Sequence, residues 1–482
     1  MTKSDILQSV MQEFRALAAI PRPSGHEKAV SDYLLAHLEE MGLAVVQDER
    51  NNIIADLAAS PGRENAPRVI LQGHMDMVCV AAPGVSYEPL QDAIKIVEDG
   101  DILRAQGTSL GADDGIGVAI ILHILRHAKE HGPVRAIFTV DEERGMTGAI
   151  HLDEKYLKDA RYLINCDSEN LDELCVGSAG GVDLTFSRTM KLTGAVGKKA
   201  WQISVGGLKG GHSGESIGEG RANALRLLSL TLAGLQEAGV DFALASLAGG
   251  KAKNAIASDA VAVVVTDVAE EKLREVLQKE EEQFRRTYSA TEPMLALSLA
   301  EAPQVEKVFA ADEAENLLRL LRLFHSGIYQ MSAVTPGMVE TSSNLGVVRM
   351  EGAEIEIEIY PRSSVEGKLF EFCRMAKDLA ELTGFALHIG TIAPSWDEDK
   401  DNPLAKIIAA VFEQHMKKPM KVETIHAGLE CGWFYRKNPQ MKFVSVGVTT
   451  HDIHSPKESL ELPTVAPLAV ILSDTLKKLA EQ

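Results

Sequence analysis

Five short segments, far apart along the chain, carry side chains able to bind a metal. They are Gly73-His74-Met75-Asp76, Gly111-Ala112-Asp113-Asp114-Gly115, Asp141-Glu142-Glu143, Asn165-Cys166-Asp167 and His451-Asp452-Ile453-His454. An imidazole and carboxylate set without thiolates suits a zinc-type hydrolytic centre. In His74-x-Asp76 the imidazole can ligate while the carboxylate orients the ring and raises its basicity. Asp113 lies where a Gly-rich turn enters a helix; there a carboxylate can bridge two cations or simply cap the helix. Glu142 and Glu143 are adjacent, so their side chains diverge. One can bind metal while the other handles the proton of a water that the metal acidifies. Asp167 and His454 read either as ligands or as ordinary polar residues at strand ends.

What unites the set is where the segments fall. Most follow an apolar run that reads as a buried strand, such as Val69-Ile70-Leu71-Gln72, Ala136-Ile137-Phe138-Thr139-Val140 or Tyr162-Leu163-Ile164-Asn165. Side chains at the ends of parallel strands point into one crevice. Five independent turns therefore fit a single site.

The elements that must position them follow from periodicity. Residues 4–20 and 26–41 read as amphipathic helices, the second closed by Gly42. Strand-like runs follow near 44–57 and 67–72, and Ile116 to His131 reads as an apolar helix. This alternation predicts an α/β fold with a mixed central sheet flanked by helices. After about residue 186 the pattern changes. Trp201 to Val205, Ala260 to Thr266 and Ala353 to Tyr360 read as strands between long helices near 219–238, 270–288 and 312–325. Strict alternation in Glu354-Ile355-Glu356-Ile357-Glu358-Ile359 predicts a half-exposed antiparallel strand. The first pattern resumes after Pro394. Residues 1–186 plus 395–482 are thus expected to form the catalytic domain, and 187–394 an inserted α+β lid domain.

Composition narrows the function. The chain has 482 residues, 45% hydrophobic and 24% charged, with a formal net charge of −20. Such a charge repels phosphate backbones, which argues against nucleic-acid binding. The polar start of the chain lacks a signal-peptide core, and no run approaches the ~20 apolar residues that span a bilayer. Five cysteines without a CxxC read as reduced thiols in a cytoplasmic protein.

Weaker signals remain. His123, His127 and His131 share a helical stripe without the glutamate of a zincin motif, and read as a solvated face. Gly211-His212-Ser213-Gly214 is not a nucleophile elbow, because Glu215 takes the last glycine position. Arg362, after Tyr360-Pro361, can clamp a carboxylate.

Taken together, the motifs resemble the aminoacyl-histidine dipeptidases (peptidase D, or Xaa-His dipeptidases) within the co-catalytic zinc peptidases. The resemblance rests on Gly73-His74-Met75-Asp76-Met77-Val78, Ser109-Leu110-Gly111-Ala112-Asp113-Asp114-Gly115, Asp141-Glu142-Glu143, Gly207-Leu208-Lys209-Gly210-Gly211-His212-Ser213-Gly214 and Ile425-His426-Ala427-Gly428-Leu429-Glu430-Cys431-Gly432. Val339 to Val348 and His454-Ser455-Pro456-Lys457-Glu458 fit as well, although Lys457 stands where an acidic residue is expected. The resemblance implies two divalent ions per chain, zinc first, with cobalt or manganese as alternatives. Asp113 would bridge them, His74 and Asp167 would hold one, and Glu143 and His454 the other. Glu142 would be the general base, with Asp76 behind His74. From the lid, His212 would stabilise the oxyanion, while Asn254 and Arg362 would hold the substrate's terminal carboxylate. Glu430 would face its amino group. The implied protein is a homodimer, joined through the lid, that hydrolyses Xaa-His dipeptides such as β-alanyl-histidine. Tripeptidase, carboxypeptidase and amino-acid deacylase are the neighbouring activities. A non-catalytic metal-binding assembly protein would have no need of Glu142.

Overall fold

The apolar runs that precede the candidate ligands form the parallel centre of an eight-stranded sheet. This is seen in a computed structural model, which describes residues 1–195, 199–333, 335–399 and 401–482. The strand order is Ala44–Gln47, Ile53–Leu57, Val134–Thr139, Arg68–His74, Ala160–Ser168, Lys442–Gly447, Glu173–Ser178 and Lys421–Ile425. Arg68–His74 pairs in parallel with Val134–Thr139 on one side and Ala160–Ser168 on the other, and Lys442–Gly447 continues the parallel run. The outer pairings are antiparallel at Ala44–Gln47, Ile53–Leu57 and Glu173–Ser178. Central parallel strands are covered on both faces, which explains their unbroken apolar sequences. The expected strand over 44–57 is a hairpin of two, turned at Asn51 with φ of 71°.

Helix Ala112–His127 is apolar almost all round because it is buried, packed against the strand Arg68–His74 and helices Lys3–Ala18 and Leu462–Leu479. His123 is buried there with Nδ1 2.8 Å from Ser9 Oγ, and His131 is buried beyond the helix end. Of the histidine face expected to be solvated, only His127 is exposed, because packing covers the helix at His123. A small sheet joins two ligand loops. Thr450–His451 pairs with Ser459–Glu461, which pairs with Ile102–Ala105, and that strand leads into the Gly111 turn.

The chain divides into two compact units, Met1–Ser178 with Trp396–Thr424 and Leu429–Gln482, and Ala179–Ser395 with Ile425–Gly428. The second begins earlier than residue 187 because Leu184–Thr189 pairs with Glu354–Ser363 and Ala386–Ile389. It also takes in the segment with His426, as Ala179 N–H donates to Ile425 O (3.1 Å) and Ala427 O (3.0 Å). Its ten-stranded sheet is antiparallel at every pairing given, and helices Ala224–Glu237, Glu270–Thr287, Ala311–Leu323 and Glu366–Thr383 accompany it. In the strand Glu354–Ser363, Ile355, Ile357 and Ile359 are buried while Glu354 and Glu356 are exposed, as the alternation predicted. Each unit has its own apolar core.

Candidate dinuclear metal centre

His74 ends the strand Arg68–His74 and Asp76 follows it; Glu142 and Glu143 begin a short helix just past Val134–Thr139. Asp167 lies at the end of Ala160–Ser168, and His454 lies in the loop beyond Lys442–Gly447. Asp113 lies in the first turn of Ala112–His127. Parallel strands deliver these residues to one edge of the sheet.

The side chains converge. His74 Nε2 lies 3.1 Å from Asp113 Oδ1 and 3.4 Å from Asp167 Oδ1. His454 Nε2 lies 3.0 Å from Asp113 Oδ2 and 2.8 Å from Glu143 Oε2. Two triads result, His74–Asp113–Asp167 and Asp113–Glu143–His454, and they share Asp113. A third grouping, His74–Glu142–Glu143, overlaps both.

Asp76 has two duties. Its Oδ1 lies 3.5 Å from His74 Nδ1, and its carboxylate accepts from Glu142 N–H (3.1 Å) and Glu143 N–H (3.3 Å). One buried carboxylate therefore orients an imidazole and anchors the helix carrying both glutamates. The Glu142 side chain makes no hydrogen bond or ion pair with a described residue, whereas Glu143 faces His454.

The electrostatics suit cations. Burial, then Asp167 and Glu143, push the Glu142 carboxyl well above its ordinary range, against the pull of His74. Burial and Asp113 likewise raise Asp167. Burial opposes protonation of His454, but Asp113 and Glu143 push it up to about 11. Crowded acids and imidazoles thus hold protons where divalent ions would supply the charge instead. With His74 Nδ1 turned to Asp76, the Nε2 atoms of His74 and His454 both face carboxylates. The donor set fits two divalent cations.

In the second unit, His212, Asn254 and Arg362 come together. Gly211 and Ser213 pair with residues 254–256, Ser213 N–H donating to Asn254 O (2.8 Å) and Ile256 N–H to Gly211 O (2.8 Å). Asn254 is exposed, and the amide of Asn344 donates to Lys253 O (2.9 Å) and Ala255 O (2.8 Å) on either side of it. Arg362 is buried; its guanidinium lies 3.4 Å from Ser213 Oγ and 3.4 Å from His212 Nε2, over the Tyr360 ring. Beside it, His426 Nε2 lies 2.8 Å from Ser342 Oγ.

Glu430 is a correction. It has no exposed surface, and its Oε2 accepts from Gln72 Nε2 (2.6 Å) and Thr139 Oγ1 (2.7 Å). A carboxylate closed in beneath two strands has no opening towards a substrate ammonium group. Burial raises its pKa to about 7, despite the Thr139 bond. Lys457 is exposed, and the buried carboxylate of that segment is its neighbour Glu458.

Several supporting groups escaped the sequence reading. The buried Asp114 carboxylate occupies the space where a Cβ at Gly73 or Gly117 would lie, at 2.3 and 2.0 Å, so both positions require glycine. Arg22 and Glu27, in the turn after the first helix, bond to backbone of the ligand loops: Glu27 accepts from Asp141 N–H (3.0 Å). Pro21-Arg22-Pro23-Ser24-Gly25-His26-Glu27 was the available signal, a polar and proline-rich turn between two helices.

Comparison with known proteins agrees with this geometry. Residues 70–478 match the family described as Peptidase family M20/M25/M40. Over 477 residues the chain is 34% identical to the cytosol non-specific dipeptidase of Escherichia coli (strain K12), covering 98% of each. The crystal structure of aminoacylhistidine dipeptidase from Vibrio alginolyticus matches with a TM-score of 0.87 at 34% identity, over 98% of this chain and 96% of that one. Human carnosine dipeptidase 1 shares the fold, with a TM-score of 0.54 at 12% identity over 100% and 99% of the two chains. No described helix is long and apolar enough to cross a membrane. With most of its length matched in this way, the chain belongs to peptidase family M20/M25/M40 and is a metal-dependent hydrolase.

Proposed function

We propose that this protein is a cytoplasmic dipeptidase that cleaves Xaa-His dipeptides, β-alanyl-histidine among them, at a two-metal centre. The observation that carries the reading is Asp113 shared between two histidine-carboxylate triads, with Glu142 unbonded beside them. His74, Asp113 and Asp167 would hold one divalent ion, and Asp113, Glu143 and His454 the other. Zinc suits this set, and cobalt or manganese can replace it. The ions, when bound, supply Lewis acidity at the scissile carbonyl and acidify a water. Glu142 takes the proton of the attacking water and passes it to the leaving amine nitrogen. Asp76 holds His74 and the start of the Glu142 helix in place. His212 donates to the developing oxyanion.

Arg362 and Asn254 hold the substrate's terminal carboxylate. In support, the hydrogen bonds of the buried Arg362 go to a hydroxyl and an imidazole, neither of them an anion. Its guanidinium can then take a carboxylate in a bidentate bond. The second unit also serves as the dimer contact. Its strand Gly327–Met331 pairs with Val339–Glu351 and carries exposed Tyr329 and Met331. The cytoplasmic location is supported by the cytosolic name of the Escherichia coli relative.

A hydrolysis panel tests the reading. Xaa-His and other dipeptides, tripeptides and N-acylated amino acids are compared on protein of measured metal content. Fastest turnover is expected on dipeptides, with Xaa-His among those cleaved. Turnover confined to tripeptides or N-acyl amino acids would replace this reading with one of those activities.

A further inference from the structure

The turn that carries Asp113 is gripped from both sides by two buried charged residues. Glu458 has 3% of its surface exposed. Its Oε2 accepts from Leu110 N–H (2.6 Å) and Gly111 N–H (3.0 Å), and its Oε1 from Ala112 N–H (2.8 Å) and Asp113 N–H (3.4 Å). The first amides of a helix lack intrahelical partners and are ordinarily capped by a nearby Ser, Thr or Asp. Here Gly111 occupies the N-cap and provides no side chain. The cap comes instead from a residue 345 positions away from Asp113, on the segment that also carries His454.

Arg22 takes the opposite side. Its Nη1 donates to Met75 O (3.0 Å) and Asp76 O (2.9 Å), and its Nη2 to Gly111 O. One guanidinium thus joins the backbone of the His74–Asp76 segment to that of the Asp113 turn. The glycines make room for it. A Cβ at Gly111, where φ is 69°, would lie 2.6 Å from Arg22 Nη2, and one at Gly115 would lie 2.5 Å away. A side chain at Gly115 would strike Arg22 first, whereas at Gly111 it would strike Met77 Sδ (2.5 Å) as well as Arg22, and the positive φ there favours glycine in any case.

We propose that Arg22 and Glu458 are positioning residues for the metal centre. They fix the Asp113 turn against the His74 and His454 segments, so that one Asp113 oxygen stays towards His74 and the other towards His454, where each would meet a different ion. Stability alone does not account for them. Burying charge costs several kcal/mol per ion, and apolar replacements of similar volume are often no less stable. Every Glu458 bond and the Arg22 Nη2 bond fall on the turn Leu110 to Asp113, which holds the residue shared by both triads, and the other Arg22 bonds tie that turn to the His74–Asp76 segment. The inference rests on the reading of Asp113 as the bridge.

The test measures metal affinity by chelator competition, and the visible absorption of the cobalt(II)-loaded protein, on four variants. Glu458→Gln keeps the shape but turns an NH2 towards backbone donors. Arg22→Lys keeps the charge but cannot span two backbone segments. Both are expected to fold, to bind metal about 10–100-fold more weakly, and to show an altered cobalt spectrum. Arg188→Met is the control. It breaks the buried pair with Glu313 in the other unit (2.6 Å) and should lower Tm with metal affinity unchanged. Asp113→Asn separates the two claims. If it binds both metals as wild type does, the bridge reading fails. If it loses metal while Glu458→Gln and Arg22→Lys keep wild-type affinity and spectrum, only the positioning inference fails. Failure of both positioning variants to fold would make the two residues structural and would also overturn it.

Discussion

The two carboxylate oxygens of Asp113 face two different imidazoles, Oδ1 at 3.1 Å from His74 Nε2 and Oδ2 at 3.0 Å from His454 Nε2. Asp167 and Glu143 each stand beside only one of those rings among the described ion pairs. Removing the shared residue should therefore cost both metals, whereas removing an outer one should chiefly weaken a single site. Asp113→Asn is expected to bind no metal at stoichiometric concentrations. Asp167→Asn and Glu143→Gln should each retain about one ion per chain, read by elemental analysis after dialysis. His451→Ala should retain both, because His451 Nε2 turns away to Glu461 Oε1 at 2.8 Å. Equal metal loss in His451→Ala and His454→Ala would remove His454 from the ligand set.

Glu142 differs from Glu143 in its freedom. Its backbone is anchored by Asp76, yet its carboxylate is bonded to no described side chain. Glu142→Gln should keep both metals and near-wild-type KM while kcat falls about 10²–10⁴-fold, the usual yield of a positioned acid-base group. Steady-state kinetics on metal-saturated protein decide it. A kcat within a few-fold of wild type would remove Glu142 as the base.

The candidate ligands His74, Glu143 and Asp167 were legible because each lies at or just past an apolar run, and such runs become central parallel strands whose ends meet. Asp113, at a Gly-rich helix start, and His454, in a loop, were singled out by the family resemblance instead. Glu458 and Arg22 were illegible for the opposite reason: their partners are backbone amides and carbonyls 345 and 89 residues away, which leave no trace in side-chain pattern. Glu430, placed at the substrate's amino group by the reading built on the family resemblance, is buried instead. Its burial depends on Gln72 and Thr139, donors supplied by two distant strands. The boundary near residue 179 was missed because Leu184–Thr189 reads as a strand whichever sheet it joins.

Arg362 gives a prediction about binding. A buried guanidinium bonded to a hydroxyl and an imidazole can still take a carboxylate in a bidentate bond. Arg362→Met should raise KM for dipeptides by about 10–100-fold, in line with a lost charged hydrogen bond of roughly 1.5–3 kcal/mol. Amidating the substrate's C-terminus should hurt the wild type more than this variant. His212→Ala should instead lower kcat about 10²–10³-fold with metals retained, as for a lost oxyanion donor. If His212 serves the partner's site, verified mixed dimers of Glu142→Gln and His212→Ala should regain activity. No recovery would assign it to its own chain's site, and equal amidation penalties in wild type and Arg362→Met would end the carboxylate role.

The last prediction concerns acid stability. Burial, reinforced by the Arg362 charge, lowers the His426 pKa from 6.5 to about 3, against the pull of the Val339 carbonyl. The folded protein therefore keeps this imidazole neutral at a pH where the unfolded chain protonates it. A depressed folded pKa means that the contribution is fully present above about 6.5 and is lost as pH falls towards about 3. At roughly 1.4 kcal/mol per pKa unit the full swing is on the order of 5 kcal/mol, a large share of a typical domain's stability. His426→Gln retains a polar partner for Ser342, which lies 2.8 Å from His426 Nε2, but cannot titrate. Its Tm should be somewhat lower at pH 7.5 and should fall less steeply than the wild type's between pH 6.5 and 4. Calorimetry across that range is the check, with His123 as the internal comparison, since burial and His127 lower its pKa to about 4 as well. Parallel Tm profiles for wild type and His426→Gln would show that His426 is not held neutral by its buried place beside Arg362.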